Sequence, residues 1–272
     1  MNLNQPMLAC FDKSQVRRSF DLASGKYNHF ASLQRGIGEK LLARYQDVKS
    51  LPERVLDIGS GTGFLTMKLQ EAYPSSTVSA LDLSLGMLQQ SRSLSADSAA
   101  NYVCSDAEGL PIRSIVLDYV FSNLAYQWCP NLQDAFSESY RVLKNKGAFV
   151  FSTFGPNTLN ELRDAWGEVD DGVHVNSFVS LKDIRRQLKA VGFVDISLHA
   201  ENIVLHYDSA KAVMKDIKGM GAHNINHTRR KGLTGVGRFK KLQLAYECKR
   251  CEQGLPATYQ AIYAVCHKPF KK

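Results

Sequence analysis

The spacing of hydrophobic positions changes near Pro52, and this change separates a helical N-terminal part from the rest of the chain. Between residues 14 and 45, apolar positions such as Leu33 and Ile37 recur every three or four residues, which predicts helix. From Arg54 onward, short apolar runs alternate with amphipathic stretches. Because buried parallel strands read as continuous apolar runs, this alternation predicts a doubly wound α/β sheet.

Five strands are predicted up to residue 153, with helices between them. We expect strands at 54–59, 77–82, 102–104, 115–122 and 147–152, and helices at 64–73, 86–94 and 134–143. Later in the chain the pattern predicts helices at 158–166, 181–191, 210–219 and 238–251, and strands near 194–207 and 258–266. We therefore expect one domain with a helical insertion between its last strands.

The composition excludes several classes of protein. A chain of 272 residues, 44% hydrophobic and 22% charged, is typical of a globular fold. No window approaches the roughly 18 apolar residues of a membrane span, and residues 1–20 are polar and charged rather than built like a secretory leader. We therefore expect a cytoplasmic protein. Its six cysteines include one close pair, Cys248 and Cys251, so we interpret them as reduced thiols and expect no metal site.

A glycine-rich turn follows the first predicted strand. Its sequence is Asp57-Ile-Gly59-Ser-Gly61-Thr-Gly63, and it opens the next helix, whose N-terminus offers free N–H groups and a positive dipole end. A dinucleotide fingerprint needs its third glycine one residue later, and a P-loop needs Gly-Lys-Ser/Thr. The carboxylate of Asp57 would repel a phosphate but could pair with an ammonium group. A ligand that carries an amino-acid moiety therefore fits better.

Two further carboxylates end the next strands. Asp82 lies 19 residues after Gly63, where it can accept hydrogen bonds from both hydroxyls of a ribose. Asp106 and Ala107 follow the third strand, and an aspartate there can accept a hydrogen bond from an adenine amino group. In their order and spacing, V-L-D-I-G-S-G-T-G, L-D-L-S and S-D-A-E-G-L-P resemble the motifs of class I S-adenosylmethionine-dependent methyltransferases.

This resemblance implies the methyl donor, the fold and the donor site. The donor is S-adenosylmethionine, and the fold is a mostly parallel, seven-stranded, Rossmann-like sheet. Tyr27 is expected to close over the donor. The other donor-binding residues that the resemblance implies are Asp57, Gly59, Ser60, Gly61, Gly63, Asp82, Leu83, Asp106, Ala107 and Asn123.

The segment after the fourth strand argues against a nucleobase as the methyl acceptor. It reads S-N-L-A-Y-Q-W-C-P from Ser122 to Pro130. Enzymes that methylate exocyclic base nitrogens usually carry an Asp/Asn-Pro-Pro-Tyr/Phe motif at this place, and this segment lacks the two prolines. Cytosine-C5 enzymes use a Pro-Cys pair, whereas in this chain Cys129 comes before Pro130.

The flanking segments carry a closer resemblance, which runs from about Val16 to Cys266. They are F-D-L-A-S-G-K-Y-N (20–28), S-N-L-A-Y-Q-W (122–128), S-T-F-G-P-N-T-L-N-E-L-R (152–163), H-V-N-S-F (174–178), G-A-H-N-I-N (221–226), R-K-G-L-T-G (230–235) and G-L-P-A-T-Y (254–259). Together they are similar to the malonyl-[acyl-carrier protein] O-methyltransferases of biotin synthesis, although Asn28 stands where many relatives have Asp. The resemblance implies a helical cap at 14–46, a donor-binding core at 53–153, acceptor-side helices and a lid at 154–257, and a last strand at 258–267.

The chemistry of such an acceptor suggests which side chains to look for. A malonyl carboxyl is already ionised at neutral pH, so methyl transfer needs alignment and exclusion of water rather than a general base. An anionic acceptor favours Arg, His or amide donors. The candidates are Gln127, Arg163, His174, Asn176 and Asn224. For each, a structural role is the alternative: a solvated helix face for Arg163, a loop hydrogen bond for His174, a turn for the asparagines.

The basic excess lies entirely in the last quarter of the chain. Residues 1–200 contain 20 Lys and Arg against 21 Asp and Glu, net −1, whereas residues 201–272 contain 14 against 5, net +9. Such an excess implies an anionic partner. We expect the acidic acyl-carrier protein to dock on Arg229, Arg230 and Lys231, with no nucleic-acid or membrane partner.

Two other functions stay open from the sequence. One is a methyltransferase for another small carboxylic acid or metabolite, with the same donor site and a different lid. The other is a non-catalytic protein that senses S-adenosylmethionine and binds nucleic acid through the basic segment.

Overall fold

The computed structural model describes residues 12–45, 51–95, 100–219 and 235–270. The strands are β1 Arg54–Ile58, β2 Thr77–Asp82, β3 Asn101–Cys104, β4 Leu117–Asn123, β5 Leu143–Phe154, β6 Val194–Tyr207 and β7 Leu255–His267. The helices are α1 Lys13–Ala23, α2 Tyr27–Phe30, α3 Ser32–Tyr45, α4 Phe64–Ala72, α5 Leu85–Leu94, α6 Leu132–Val142, α7 Asn160–Gly167, α8 Leu181–Val191, α9 Ala210–Gly219 and α10 Val236–Glu247, with a 3-10 turn at Tyr126–Trp128.

The seven strands form one sheet in the order β3-β2-β1-β4-β5-β7-β6. Neighbouring strands from β3 to β5 are parallel, and β7 inserts antiparallel between β5 and β6. The chain order reverses between β1 and β4. In open α/β sheets, ligands bind beyond the carboxyl ends of the strands at such a switch point. The predicted doubly wound, mostly parallel seven-stranded sheet is confirmed.

Both faces of the central strands are buried, as the apolar runs predicted. Along β4, Tyr119 and Phe121 belong to the core cluster that packs α3, α9 and α10, whereas Val120 belongs to the cluster that packs α6 and α8. Successive side chains of a strand point to opposite faces, so a strand covered on both sides must be apolar throughout. No helix within the described residues is long and apolar enough to cross a membrane.

Two predicted helices differ from those observed. The helix expected over 14–45 is three helices, because a turn at Ser24–Lys26 and then Ala31 interrupt it. The helix expected to reach residue 251 ends at Glu247, since Cys251 exchanges backbone hydrogen bonds with Gly254 in a tight turn. The exposed Cys248 and Cys251 therefore flank a turn rather than sharing a helix.

Candidate active site

The glycine-rich turn has the left-handed backbone that glycine allows. Gly59, Gly61 and Gly63 have φ angles of +70°, +55° and +88°, a region that residues with a Cβ rarely adopt. A Cβ on Gly59 would lie 2.2 Å from the Cβ of Ala125, and one on Gly63 would lie 2.1 Å from Oγ of Ser91. Gly59 and Gly63 are therefore each required for two reasons, the backbone conformation and the close packing of the neighbouring side chain.

Asp57 lies buried at the end of β1, beneath the turn. Its Oδ2 accepts a hydrogen bond from the Thr66 hydroxyl at 2.7 Å, whereas its Oδ1 is buried with no hydrogen-bond partner among the described residues. Burial, with a smaller contribution from nearby Asp82, raises the pKa of Asp57 to about 7. A buried carboxylate with a vacant lone pair suits a cationic group such as an ammonium. The surrounding cavity also has Asn28, Arg35 and the glycine turn in its wall.

A larger adjoining cavity of about 700 Å³ lies beyond the ends of β1, β2 and β4. Asp82 lies in its wall and accepts hydrogen bonds from the backbone N–H groups of Gly61 and Ser84, both at 2.8 Å. Burial raises the pKa of Asp82 to about 6. The remaining wall is mostly apolar, as an aromatic base and a ribose require. Its residues include Ile58, Leu81, Leu83, Met87, Asp106, Ala107, Asn123 and Trp128.

Helix α1 covers this cavity and is fixed at both of its ends. Near the start of α1, the Lys13 ammonium forms ion pairs with two carboxylates, that of Asp106 and, at 2.6 Å, that of Glu108. Towards the end of α1, Asp21 accepts hydrogen bonds from the Ser84 hydroxyl and the Gly86 N–H. These contacts span more than 60 residues of sequence, so hydrophobic periodicity carries no signal for them. Lys13 is therefore a cavity residue that the sequence analysis missed.

Asp106 is already well satisfied in this arrangement. One oxygen meets Lys13, and the other accepts the Glu108 N–H at 3.0 Å. A carboxylate has four lone-pair sites, so room for an adenine amino group is left. The contact between Asp106 and adenine stays a prediction.

A second cavity, of about 560 Å³, adjoins the first and shares four wall residues with it, including Tyr27 and Trp128. Two predicted acceptor residues, Gln127 and Asn176, line it. The other wall residues are Phe20, Gln34, Leu124, Phe154, Thr158, Leu159, Phe178, Ile217 and Tyr259. Among the described residues that line it there is no Lys, Arg or His. The described part of this wall thus offers amide and hydroxyl groups to a ligand.

Arg163 and His174 do not line either cavity in the part of the chain that the structure describes. The Arg163 guanidinium donates to the carbonyl oxygens of Pro156 and Thr158, at 3.2 and 3.0 Å, and so holds the segment before α7. His174 stacks on Trp166 with ring centroids 3.7 Å apart, and its Nε2 lies 2.7 Å from Asp170. Each of the two side chains thus holds a loop in the described structure and does not join Gln127 and Asn176, so their contact with the acceptor stays a prediction.

The remaining predicted residues fall into three groups. Tyr27 lines both the first and the second cavity, which we call the donor cavity and the acceptor cavity after the predicted residues in their walls, and its place over the donor stays a prediction. Asn123 lines the donor cavity and is held from both sides, because it donates to the Gln34 carbonyl and accepts from the Ser152 hydroxyl. Asn224 lies outside the described residues. No cluster of three metal-ligating side chains occurs among the residues described.

Replacing Asp82 with Ala is expected to weaken binding of S-adenosylmethionine about tenfold to a hundredfold. The change removes a buried acceptor and leaves its partners unpaired, a loss on the order of 1.5–3 kcal/mol. Calorimetric titration of the donor measures it. Glu71→Ala, which removes an exposed carboxylate on α4, is the control and should leave affinity unchanged. Equal affinities for Asp82→Ala and the parent protein would reject the assignment.

Comparisons with known proteins agree with this geometry. Residues 56–151 match a family model described as a methyltransferase domain. A malonyl-[acyl-carrier protein] O-methyltransferase of Nitrosospira multiformis is 40% identical over 95% of the chain and 90% of the relative, and one of Methylovorus sp. is 42% identical over the same shares.

Solved structures show the same fold at low identity. The [4+2]-cyclase SpnF has a TM-score of 0.64 at 16% identity, covering 98% of the chain and 100% of the neighbour. A phosphoethanolamine N-methyltransferase of Haemonchus contortus, solved with S-adenosyl-L-methionine, has a TM-score of 0.58 at 18% identity, covering 92% of the chain and 57% of the neighbour.

Proposed function

The chain belongs to the malonyl-[acyl-carrier protein] O-methyltransferase family of S-adenosylmethionine-dependent methyltransferases, and from this premise we propose that it methylates the free carboxylate of malonyl-[acyl-carrier protein]. The observation that carries the proposal is about 40% identity to these relatives along nearly their whole length. The products are the malonyl methyl ester and S-adenosylhomocysteine. Esterification hides the charge, so that fatty-acid elongation can accept the masked chain as a primer for the pimeloyl part of biotin.

The side chains around the first cavity and the one beneath the glycine turn support S-adenosylmethionine as the donor. Asp57 would hold its ammonium group, and Asp82 its ribose hydroxyls. The bound donor supplies an electrophilic methyl group on a sulfonium. Tyr27 and Trp128 line both cavities, so they would border the place where the methyl group meets the acceptor and would limit access of water to it.

In the described part of its wall, the acceptor cavity offers amide and hydroxyl groups, and these suit a carboxylate nucleophile. An arginine or lysine pairing with that carboxylate would lower its reactivity, whereas amide and hydroxyl groups can orient it through hydrogen bonds. The sulfonium would attract the acceptor carboxylate, and apolar surroundings strengthen that attraction. Gln127 is fixed for such a role, because its amide donates to the Leu124 carbonyl at 2.6 Å and its oxygen accepts from Thr153 at 3.2 Å. One N–H of that amide remains for the acceptor.

The direct test is methyl transfer to the carrier. The protein is incubated with methyl-labelled S-adenosylmethionine and malonyl-carrier protein, and the carrier is weighed by mass spectrometry. Gain of one methyl group on the malonyl unit, removable by an esterase, supports the proposal. Donor binding without transfer to malonyl-carrier protein would reject it, and retained binding to RNA or DNA would then favour a donor-sensing protein.

The pH dependence separates a carboxylate acceptor from a hydroxyl or an amine. With both substrates saturating, kcat should be nearly flat between about pH 6.5 and 8, because a carboxylate is already ionised. The KM for S-adenosylmethionine should behave differently and rise below about pH 7, since Asp57 and Asp82 take up protons there in the free protein. A kcat that rose tenfold per pH unit would contradict the carboxylate.

The carrier is proposed to dock on basic residues of the last quarter of the chain, Arg229, Arg230 and Lys231 among them. These three lie outside the described residues, and their charge alone supports the proposal. Changing them together to Ala should raise the KM for malonyl-carrier protein and weaken its salt dependence, with donor binding unchanged. The loss should be smaller with malonyl-coenzyme A. An equal loss on both thioesters, with folding intact, would contradict docking.

A further inference from the structure

Helix α9 carries a basic stripe on its exposed side. We define the α9 stripe as Lys211, Lys215 and Lys218, which occupy positions i, i+4 and i+7 and are all exposed. This spacing places the three ammonium groups on one side of the helix, over a length of about 10 Å. Within the described ranges, none of the three forms an ion pair. The stripe therefore presents uncompensated positive charge to solvent.

The inner side of the same helix forms part of the acceptor site. Val213 is fully buried in the core, and Ile217, next to Lys218, lines the acceptor cavity. Asp216, the one acidic residue of α9, accepts a hydrogen bond from the Tyr207 hydroxyl at 2.6 Å and so anchors the helix to β6. The C-terminal end of α9 packs on α2 through Gly219 and Phe30. The stripe is thus carried by a wall of the cavity that the acceptor must enter.

We propose that the α9 stripe is a docking surface for the acidic carrier protein, an inference that rests on the proposed function. Charge complementarity selects this occupant, because a carrier protein is acidic and its prosthetic arm must reach the cavity behind Ile217. Docking on α9 shortens that path, since the stripe and the cavity wall belong to the same helix. Exposed charges of this kind speed encounter and fix orientation more than they add final affinity, and salt weakens their effect.

A second helix supplies a matched control. On α8, Lys182, Arg186 and Lys189 repeat the spacing i, i+4 and i+7 and are also exposed. That helix packs through Ile184 and Leu188 on the core cluster of the opposite face of the sheet. Reversing three charges on either helix changes the net charge equally. A difference between the two variants therefore reports the position of the charge rather than its amount.

The experiment compares Lys211→Glu/Lys215→Glu/Lys218→Glu with Lys182→Glu/Arg186→Glu/Lys189→Glu. The α9 variant should raise the KM for malonyl-carrier protein about tenfold or more, flatten its dependence on salt, and leave kcat nearly unchanged. The α8 variant should stay near the parent protein. On malonyl-pantetheine, which lacks the acidic protein, the α9 variant and the parent should be equal. Thermal unfolding and donor titration show whether each variant is folded. If the α9 variant is not folded, the milder triple Lys→Gln variant of the same residues takes its place.

Any of four results would overturn the proposal. The KM for malonyl-carrier protein could be unchanged in the α9 variant, it could rise equally in the α8 variant, or the α9 variant could lose as much activity on malonyl-pantetheine with folding intact. The fourth is an α9 variant that loses binding to anionic vesicles or RNA while its kinetics with the carrier are unaltered. Failure of the proposed function itself looks different, because the parent protein would then methylate neither thioester. In that case fluorescence anisotropy with labelled carrier still tests the stripe. If the α9 variant loses carrier binding and the α8 variant keeps it, the proposal is supported. If the parent protein and both variants bind the carrier equally, it is rejected.

Discussion

Replacing Asp57 with Asn is expected to make the donor-free protein more stable and at the same time to weaken donor binding about a hundredfold or more. The pKa of Asp57 is raised from 3.8 to about 7 in the folded protein, so the folded state holds its proton more tightly than the unfolded chain does. Stability therefore falls as the pH rises from about 4 to 7, by up to roughly 4 kcal/mol. Asn cannot ionise and escapes this cost. Loss of the buried carboxylate removes the charge partner of the donor's ammonium, a loss of about 3 kcal/mol or more.

Thermal unfolding at two pH values tests the first half, and calorimetric titration of S-adenosylmethionine tests the second. The Asp57→Asn protein should melt several degrees higher than the parent at pH 8, and the difference should shrink by pH 5. Asp118→Asn is the control, and its effect on stability should have the opposite sign, because Lys144 and the N–H groups of Glu53 and Arg54 lower the pKa of Asp118. That change should destabilise the protein at pH 8. If Asp57→Asn melted lower than the parent at pH 8 and bound the donor normally, Asp57 would be a structural residue.

Replacing Gly59 with Ala is expected to abolish donor binding and to destabilise the fold by about 3 kcal/mol or more. The new Cβ would meet Ala125 at 2.2 Å, so the turn after β4 would have to move, and the φ of +70° adds roughly 1–2 kcal/mol of backbone strain. Gly61→Ala is the matched control, since Gly61 has a similar φ of +55° and open space around its Cβ position. It should cost only the backbone strain.

Urea unfolding of the two alanine variants and the parent separates strain from packing. Gly59→Ala should unfold at clearly lower urea than Gly61→Ala, with similar slopes. Equal midpoints would show that backbone conformation alone explains the glycines and that contact with Ala125 matters little. Gly63→Ala, which would meet the Ser91 hydroxyl at 2.1 Å, should resemble Gly59→Ala unless that side chain rotates away.

The sequence by itself determined the strands of the sheet and predicted the residues of the donor site. Local hydrophobic spacing predicted the seven strands, and the bounds of β2, β6 and helix α8 match those observed. The central strands were predicted as apolar runs, because a strand buried on both faces must be apolar along its length. Asp57 and Asp82 could also be placed, since the ends of neighbouring parallel strands meet at one edge of a sheet. The family motifs also predicted the class of methyl acceptor, because they extend far beyond the donor core.

Only the tertiary structure decided which side chains line the two cavities and which helix covers the first of them. Arg163 and His174 stood in the family motifs, yet their side chains turn to nearby carbonyl and carboxylate groups, because side-chain direction depends on packing that spacing does not encode. Lys13 reaches Asp106 across 93 positions of sequence, and Ile217 joins the acceptor wall only once α9 has packed on α2. Periodicity is a property of neighbouring residues, whereas a cavity is made by elements that meet only after the chain has folded.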